Sequence, residues 1–191
     1  GLSAGVIPTN DGLACVFAAG PAAVLAARMR HSRPLDAARE LLARLDCGLS
    51  DRTSGAPEGP VRFFRGLPAR LRRPHGPGWA LVGDAGWWKD PLSTYGITDA
   101  FRDAELLARA VVAGAASDQA MRIALGRYQA ERDGHALPMH PIVDRLASHQ
   151  WDLAQVQQLL RELSSVMADD VEGIRALDPL GDPIGVFLAT S

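Results

Sequence analysis

The chain has 191 residues, with 20 Lys and Arg against 22 Asp and Glu, a net charge of −2 and 47% apolar residues. That balance suits a globular chain with a real core, and it supplies no bulk basic charge for nucleic acid. No apolar run approaches the roughly 18 residues of a membrane helix, and no charged start leads into an apolar leader. Cys15 and Cys47 are the only cysteines. Two cysteines make no disulfide framework, so reduced thiols and a cytoplasmic setting are expected.

The first residues, "GLSAGVIP", read as part of a strand, and the chain is expected to be the later part of a longer protein. Two β-prone runs flank Asn10-Asp11-Gly12, a hairpin signal. Residues 21–31 and 35–46 are rich in Ala, Leu and Arg and read as short helices. Residues 47–60 read as loop from their Gly, Pro, Ser and Asp. "VRFF" (61–64) reads as a strand, and residues 65–78, punctuated by prolines and glycines, as mostly loop.

"WALVG" (79–83) is short, apolar and bounded by glycine, and is expected to be a buried strand. From Gly96 to about Val112 the residues Ala100, Phe101, Ala104, Leu107, Ala108 and Val111 recur at helical spacing. Ser117 can cap the next helix, with Met121, Ala124, Leu125 and Tyr128 as its apolar face. Pro138 and Pro141 are expected to break that helix. Leu153, Val156, Leu160, Leu163 and Met167 then form a stripe on a last helix. The tail, residues 181–191, takes no assignment.

The informative stretch is "LVGDAGWWKDPLSTYGITDAFRDAELLARA" (81–110). A strand ending on Gly83-Asp84 puts a carboxylate at its carboxyl end, where α/β sheets bind ligands. An ionised Asp84 is an acceptor suited to hydroxyl groups. Gly96 opens a helix, and a helix start offers free N–H groups and a partial positive charge. Between them "WWKDP" supplies ring surface. The combination suits a ligand with a polyol section, a flat ring and an anionic form.

This stretch resembles the second FAD-binding motif of flavin-dependent monooxygenases and related reductases with the p-hydroxybenzoate hydroxylase fold. Gly83-Asp84-Ala85, Pro91, Gly96, Asp103-Ala104 and Leu107-Ala108 are in register with that pattern. The resemblance implies an α/β enzyme, α+β as a fragment. It would hold a partial FAD/NAD(P)-binding Rossmann-like domain, the end of a substrate-domain β-sheet and C-terminal helices. Residues 1–65 would end the substrate domain, 66–115 would be the later part of the FAD-binding domain, and 116–191 a helical region. Asp84 would accept a hydrogen bond from the FAD ribityl chain, beside Gly83 and Ala85. Pro91 would lie near the reactive edge of the isoalloxazine ring. The backbone N–H groups of Gly96, Ile97 and Thr98 would face the N1/O2 edge of the ring, and Asp103 would stabilise the local fold.

Two departures stand out. Ser93 and Thr94 occupy positions before Gly96 where many members have glycine. No Gly-x-Gly-x-x-Gly follows a strand in these residues. That motif, which holds the FAD pyrophosphate in the family, is expected in a missing N-terminal half of the same enzyme. The resemblance thus implies a flavin monooxygenase acting on a small organic substrate, with NAD(P)H as electron donor. A reductase like the geranylgeranyl reductases is the alternative within the class. A non-catalytic helical partner-binding module is the alternative outside it.

Other groups carry less. Arg62, Arg65, Arg70, Arg72 and Arg73 read as a solvated basic loop, with no aromatics interleaved to stack bases apart from Phe63 and Phe64 of the expected strand. His135, His140 and His149 lack the i, i+4 spacing of a helical zinc site, so no metal is expected. No Gly-x-Ser-x-Gly elbow is present to support acyl transfer.

Overall fold

The computed structural model describes residues 1–178 except 46, 47, 49, 50, 52, 54 and 65. Cys47, Arg65 and the tail 181–191 therefore lie outside the described residues. The chain separates into two compact units, one from Gly1 to Gly66 and one from Leu67 onward.

In the first unit the expected hairpin forms. β1 (Ser3–Pro8) pairs antiparallel with β2 (Ala14–Ala19), with Ser3 opposite Ala19 and Pro8 opposite Ala14. The reversal uses left-handed backbone at Asp11 and Gly12 (φ 58° and 72°), which Asp-Gly tolerates. Two helices follow, α1 (Ala22–Met29) and α2 (Pro34–Arg44). Proline at the first position of α2, Asp36 in its first turn and Arg44 in its last match the helix dipole. Ala37, Leu41 and Leu42 form its buried face. Val61–Phe64 is not a strand, contrary to expectation. So short a β-prone run becomes a strand only beside a sheet edge, and the described sheet of this unit holds β1 and β2 alone.

The second unit is helical with short ribbons. β3 (Arg70–Leu71) pairs with β6 (Trp87–Trp88), and β4 (His75–Gly76) pairs with β5 (Trp79–Ala80), both antiparallel. The expected buried strand over residues 79–83 is thus reduced to a two-residue arm. The tight reversal at Gly78 folds the arm back on its own predecessor. Trp79 is exposed, and residues 83–85 leave extended geometry for a 3-10 turn. The architecture is mixed α and β, with no parallel sheet among the described residues.

Three helices complete the unit: α3 (Gly96–Gly114), α4 (Asp118–Ala147) and α5 (Leu153–Arg175). Ser117 caps α4 by accepting from the Ala120 N–H, and Asp152 with Gln155 forms a capping box on α5. Helix α4 runs through Pro138 and Pro141 rather than ending there. Each internal proline costs about 3 kcal/mol. Both prolines, with Gly134 and Leu137 whose carbonyls they deprive of a donor, lie on the exposed side, where water can take over. On the opposite side Ala136, Met139, Val143 and Leu146 pack with Trp87, Tyr95 and Leu163 in the main core. Burying such side chains contributes about 1.5–3 kcal/mol each and outweighs the two breaks.

Two apolar stripes are rotated from expectation. On α5 the core is met by Val156, Leu159, Leu163, Val166 and Met167, while Leu153 is 72% exposed and Leu160 is also exposed. On α3 the buried residues are Asp99, Arg102, Asp103, Leu106, Ala110 and Gly114. Phe101, placed on the apolar stripe by its spacing, is 74% exposed. Truncation separates the two readings of α5. Leu163→Ala should lose about 2–5 kcal/mol in chemical denaturation, and Leu153→Ala should stay within about 0.5 kcal/mol of the parent chain.

Candidate functional site

A cleft of about 700 Å³ opens between the turn at residues 83–85, the segment Trp88–Thr94 and the first turns of α3. Gly83, Asp84, Pro91, Gly96 and Ile97 line it, while Ala85 and Thr98, also expected at the site, do not. Val82, Trp88, Lys89, Asp90, Ser93, Thr94, Ala100, Phe101 and Ala104 complete the lining, and the Asp90 carboxylate is taken up by the Leu92 N–H. The exposed stripe of α3 therefore forms one wall of the cleft, which is why those apolar residues miss the core. Trp87, expected with Trp88 as ring surface, is buried in the core instead, its indole N–H donating to His140 Nδ1 at 3.0 Å.

An acceptor and a set of donors stand open at the cleft. The Asp84 carboxylate is exposed and bonds to no described residue. Helix α3 starts after Tyr95 with no side-chain cap, and its first backbone bond is from the Asp99 N–H to the Tyr95 carbonyl. The N–H groups of Gly96, Ile97 and Thr98 precede that bond and have no partner in the helix. A Cβ built on Gly96 meets only Asp84 Oδ1, at 3.6 Å. Packing thus does not require glycine at position 96. What its absent side chain leaves open is the space between the carboxylate and the helix start.

Gly83 differs. Its φ is +53°, and an added Cβ would stand 2.9 Å from the Ala100 Cβ and 3.1 Å from its Cα. Glycine is needed there both for conformation and for the close approach of the turn to α3. Thr94 also adopts left-handed backbone, at φ 52°. It does so two residues before Gly96. A threonine held there costs about 1–2 kcal/mol.

Beneath the cleft lies a buried charge cluster. Arg102 donates to Asp99 at 2.8 Å, to Asp103 at 2.8 Å and to Asp170 of α5 at 3.1 Å. Lys89 pairs with Asp99, with its ammonium 3.9 Å from the centre of the Trp87 ring. His135 of α4 closes the far end with 2.6 Å to Asp170. Burial pushes the Asp170 carboxyl up, but the His135 hydrogen bond and the Arg102 charge outweigh it and hold it below the ordinary carboxylate range. Burial tends to discharge Arg102, and Asp103, Asp99 and Asp170 together keep it charged. Burial, with Asp170 next, pushes the Tyr95 phenol well above its ordinary value, so it stays neutral.

Asp103 links the cluster to the turn by accepting the Gly83 N–H at 3.0 Å. Helix α4 grips the turn from the other side. The Tyr128 hydroxyl donates to the Leu81 carbonyl at 2.6 Å, and Arg132 donates to the Gly86 carbonyl at 3.3 Å and the Arg72 carbonyl at 2.8 Å. Sequence reasoning missed Lys89, Arg102, Tyr128, Arg132 and Asp170. Most of their partners lie far along the chain, and the local Asp99–Arg102–Asp103 run reads as solvated surface.

The remaining candidates lie apart. Arg72 caps the Ala85 carbonyl at 3.1 Å, a structural contact. His135 and His140 are engaged with Asp170 and Trp87. His149 faces the Trp151 ring, its pKa lowered first by burial. No group of three or more metal-ligating side chains gathers among the described residues. Cys15 is a free, exposed thiol. No described helix is long and apolar enough to cross a membrane.

Comparison with protein families, with curated proteins and with solved structures finds no match to the chain.

The two glycines carry opposite expectations. Gly83→Ala should destabilise the chain by about 1–3 kcal/mol in denaturant titration, from left-handed strain plus the Ala100 contact. Gly96→Ala should change stability by less than about 1 kcal/mol. Equal losses at both positions would mean that Gly96 is also a packing glycine.

Proposed function

We propose that the chain supplies the ribityl- and ring-binding part of an FAD-dependent oxidoreductase, a flavin monooxygenase acting on a small organic substrate with NAD(P)H as electron donor. One observation carries this reading. A carboxylate without a partner and an uncapped helix start face the same cleft, across the space left by Gly96. The residues present fit the flavin part of the cofactor. Asp84 would accept from a ribityl hydroxyl. The Gly96, Ile97 and Thr98 N–H groups, at the positive end of α3, would favour negative charge at the ring's N1/O2 edge. Pro91, Ala100, Phe101 and Trp88 offer apolar walls for a flat ring, and about 700 Å³ is within the range of cofactor pockets.

FAD, when bound, supplies the electron transfer and oxygen chemistry. The chain's own residues bind, orient and exclude water. The buried cluster keeps its charges paired with each other, so Lys89 and Asp99 shape the cleft floor rather than binding the cofactor. The adenine and pyrophosphate would be held by a glycine-rich turn in another part of the enzyme, since no such motif follows a strand in these residues.

Two measurements test the reading. FAD titrated into the 191-residue chain alone should show no saturable binding at micromolar concentration by flavin fluorescence. In the flavin-binding protein, Asp84→Ala should weaken FAD by about tenfold or more, the loss of a hydrogen bond to a charged acceptor at roughly 1.5–3 kcal/mol. Its melting temperature should hold, because Asp84 supports no other described residue. Full flavin retention in Asp84→Ala would refute the assignment.

A further inference from the structure

We infer that Tyr128 is a positioning residue for the cleft: from outside the motif it fixes the place of Asp84 by holding the carbonyl that leads into the turn. The inference rests on the flavin reading for its ligand and on the hydrogen-bond geometry for its mechanism. Asp84 has no described side-chain partner, so the point from which its carboxylate enters the cleft is set by the backbone of residues 83–85. Four side chains anchor that backbone, and one of them, Arg72, donates to the Ala85 carbonyl inside the turn. Asp103 takes the Gly83 N–H, Tyr128 donates to the Leu81 carbonyl before the turn, and Arg132 donates to the Gly86 carbonyl after it. Tyr128 and Arg132 are one helical turn apart on α4, so one face of one helix brackets the turn at both ends.

The Tyr128 ring packs with Leu106, Ala110 and Ala124, and a phenylalanine would fill that place equally well. What the hydroxyl adds is the bond to Leu81. Burial, with the Asp103 charge second, pushes the phenol well above its ordinary value. It therefore remains a donor throughout the neutral range. Without it the Leu81 carbonyl loses its donor, and the entry to the turn can pivot on Gly83, the residue with the least conformational restraint.

The variant is Tyr128→Phe, which keeps the core and removes the one bond. In the 191-residue chain, amide hydrogen exchange at Leu81, Gly83 and Gly86 should accelerate about three- to tenfold, the effect of one net hydrogen bond. Mid-helix amides of α4 and α5 should keep their rates. In the flavin-binding protein the same change should weaken FAD by about three- to tenfold, yet add nothing when Asp84 is already alanine. Unchanged exchange at the turn overturns the clamp whatever the ligand. Equal FAD losses with and without Asp84 would show that Tyr128 does not act through that carboxylate, and the role falls. A wild-type protein that takes up no FAD removes the functional reading, and the positioning role with it. The exchange result tells that failure from the other two.

Discussion

The Arg102 guanidinium is the contact on which the second unit depends. It sits under the first turns of α3 and binds three carboxylates, Asp99, Asp103 and Asp170, all nearly inaccessible to water. A buried charge is tolerated only when it is paired and hydrogen-bonded, and removing one partner leaves the others uncompensated, at a cost of about 3–5 kcal/mol. Each carboxylate then reaches a different element. Asp103 holds the Gly83 N–H, Asp99 holds Lys89 on the segment that borders the cleft, and Asp170 belongs to α5 and meets His135 of α4. One cation thus ties the turn, the helix start and the two last helices together.

This arrangement inverts the usual amphipathic logic of a surface helix. The inward face of α3 begins with charged residues and becomes apolar only at Leu106 and Ala110. The outward face, Ile97, Ala100, Phe101 and Ala104, is apolar and lines the cleft. Ile97 and Phe101 are 76% and 74% exposed. Leaving two large side chains open to water while burying five charged ones is costly, and the proposed flavin ring would cover that open face. The floor pairs its charges internally and leaves Asp84 as the exposed carboxylate of the cleft.

Much of this was legible from sequence, for physical reasons. The start of α3 at Gly96, the Ser117 cap, the Asp-Gly hairpin and the two helices of the first unit all announce themselves through residues close in the chain. Helical spacing found α3, but it assigned the stripe of Ala100 and Phe101 to the core. Periodicity measures where apolar residues recur, not which face turns inward, and an Asp99–Arg102–Asp103 run reads as solvated surface. Pro138 and Pro141 were misread because a proline's local cost is visible in sequence, while the burial of Met139 and Val143 that offsets it is not. Trp79 to Val82 looked like a buried strand because apolar content alone does not supply the neighbouring strands. Tyr128 and Arg132 were illegible at the site, since their partners at residues 72, 81 and 86 are backbone carbonyls and carry no sequence identity.

The central claim is that this clamped cleft is half of a flavin site. The most direct measurement is the visible absorbance of the natural protein that contains this chain, purified without added cofactor and then supplied with FAD. The account predicts a flavin spectrum that saturates at one FAD per chain. A colourless protein that takes up none of the added FAD would contradict it.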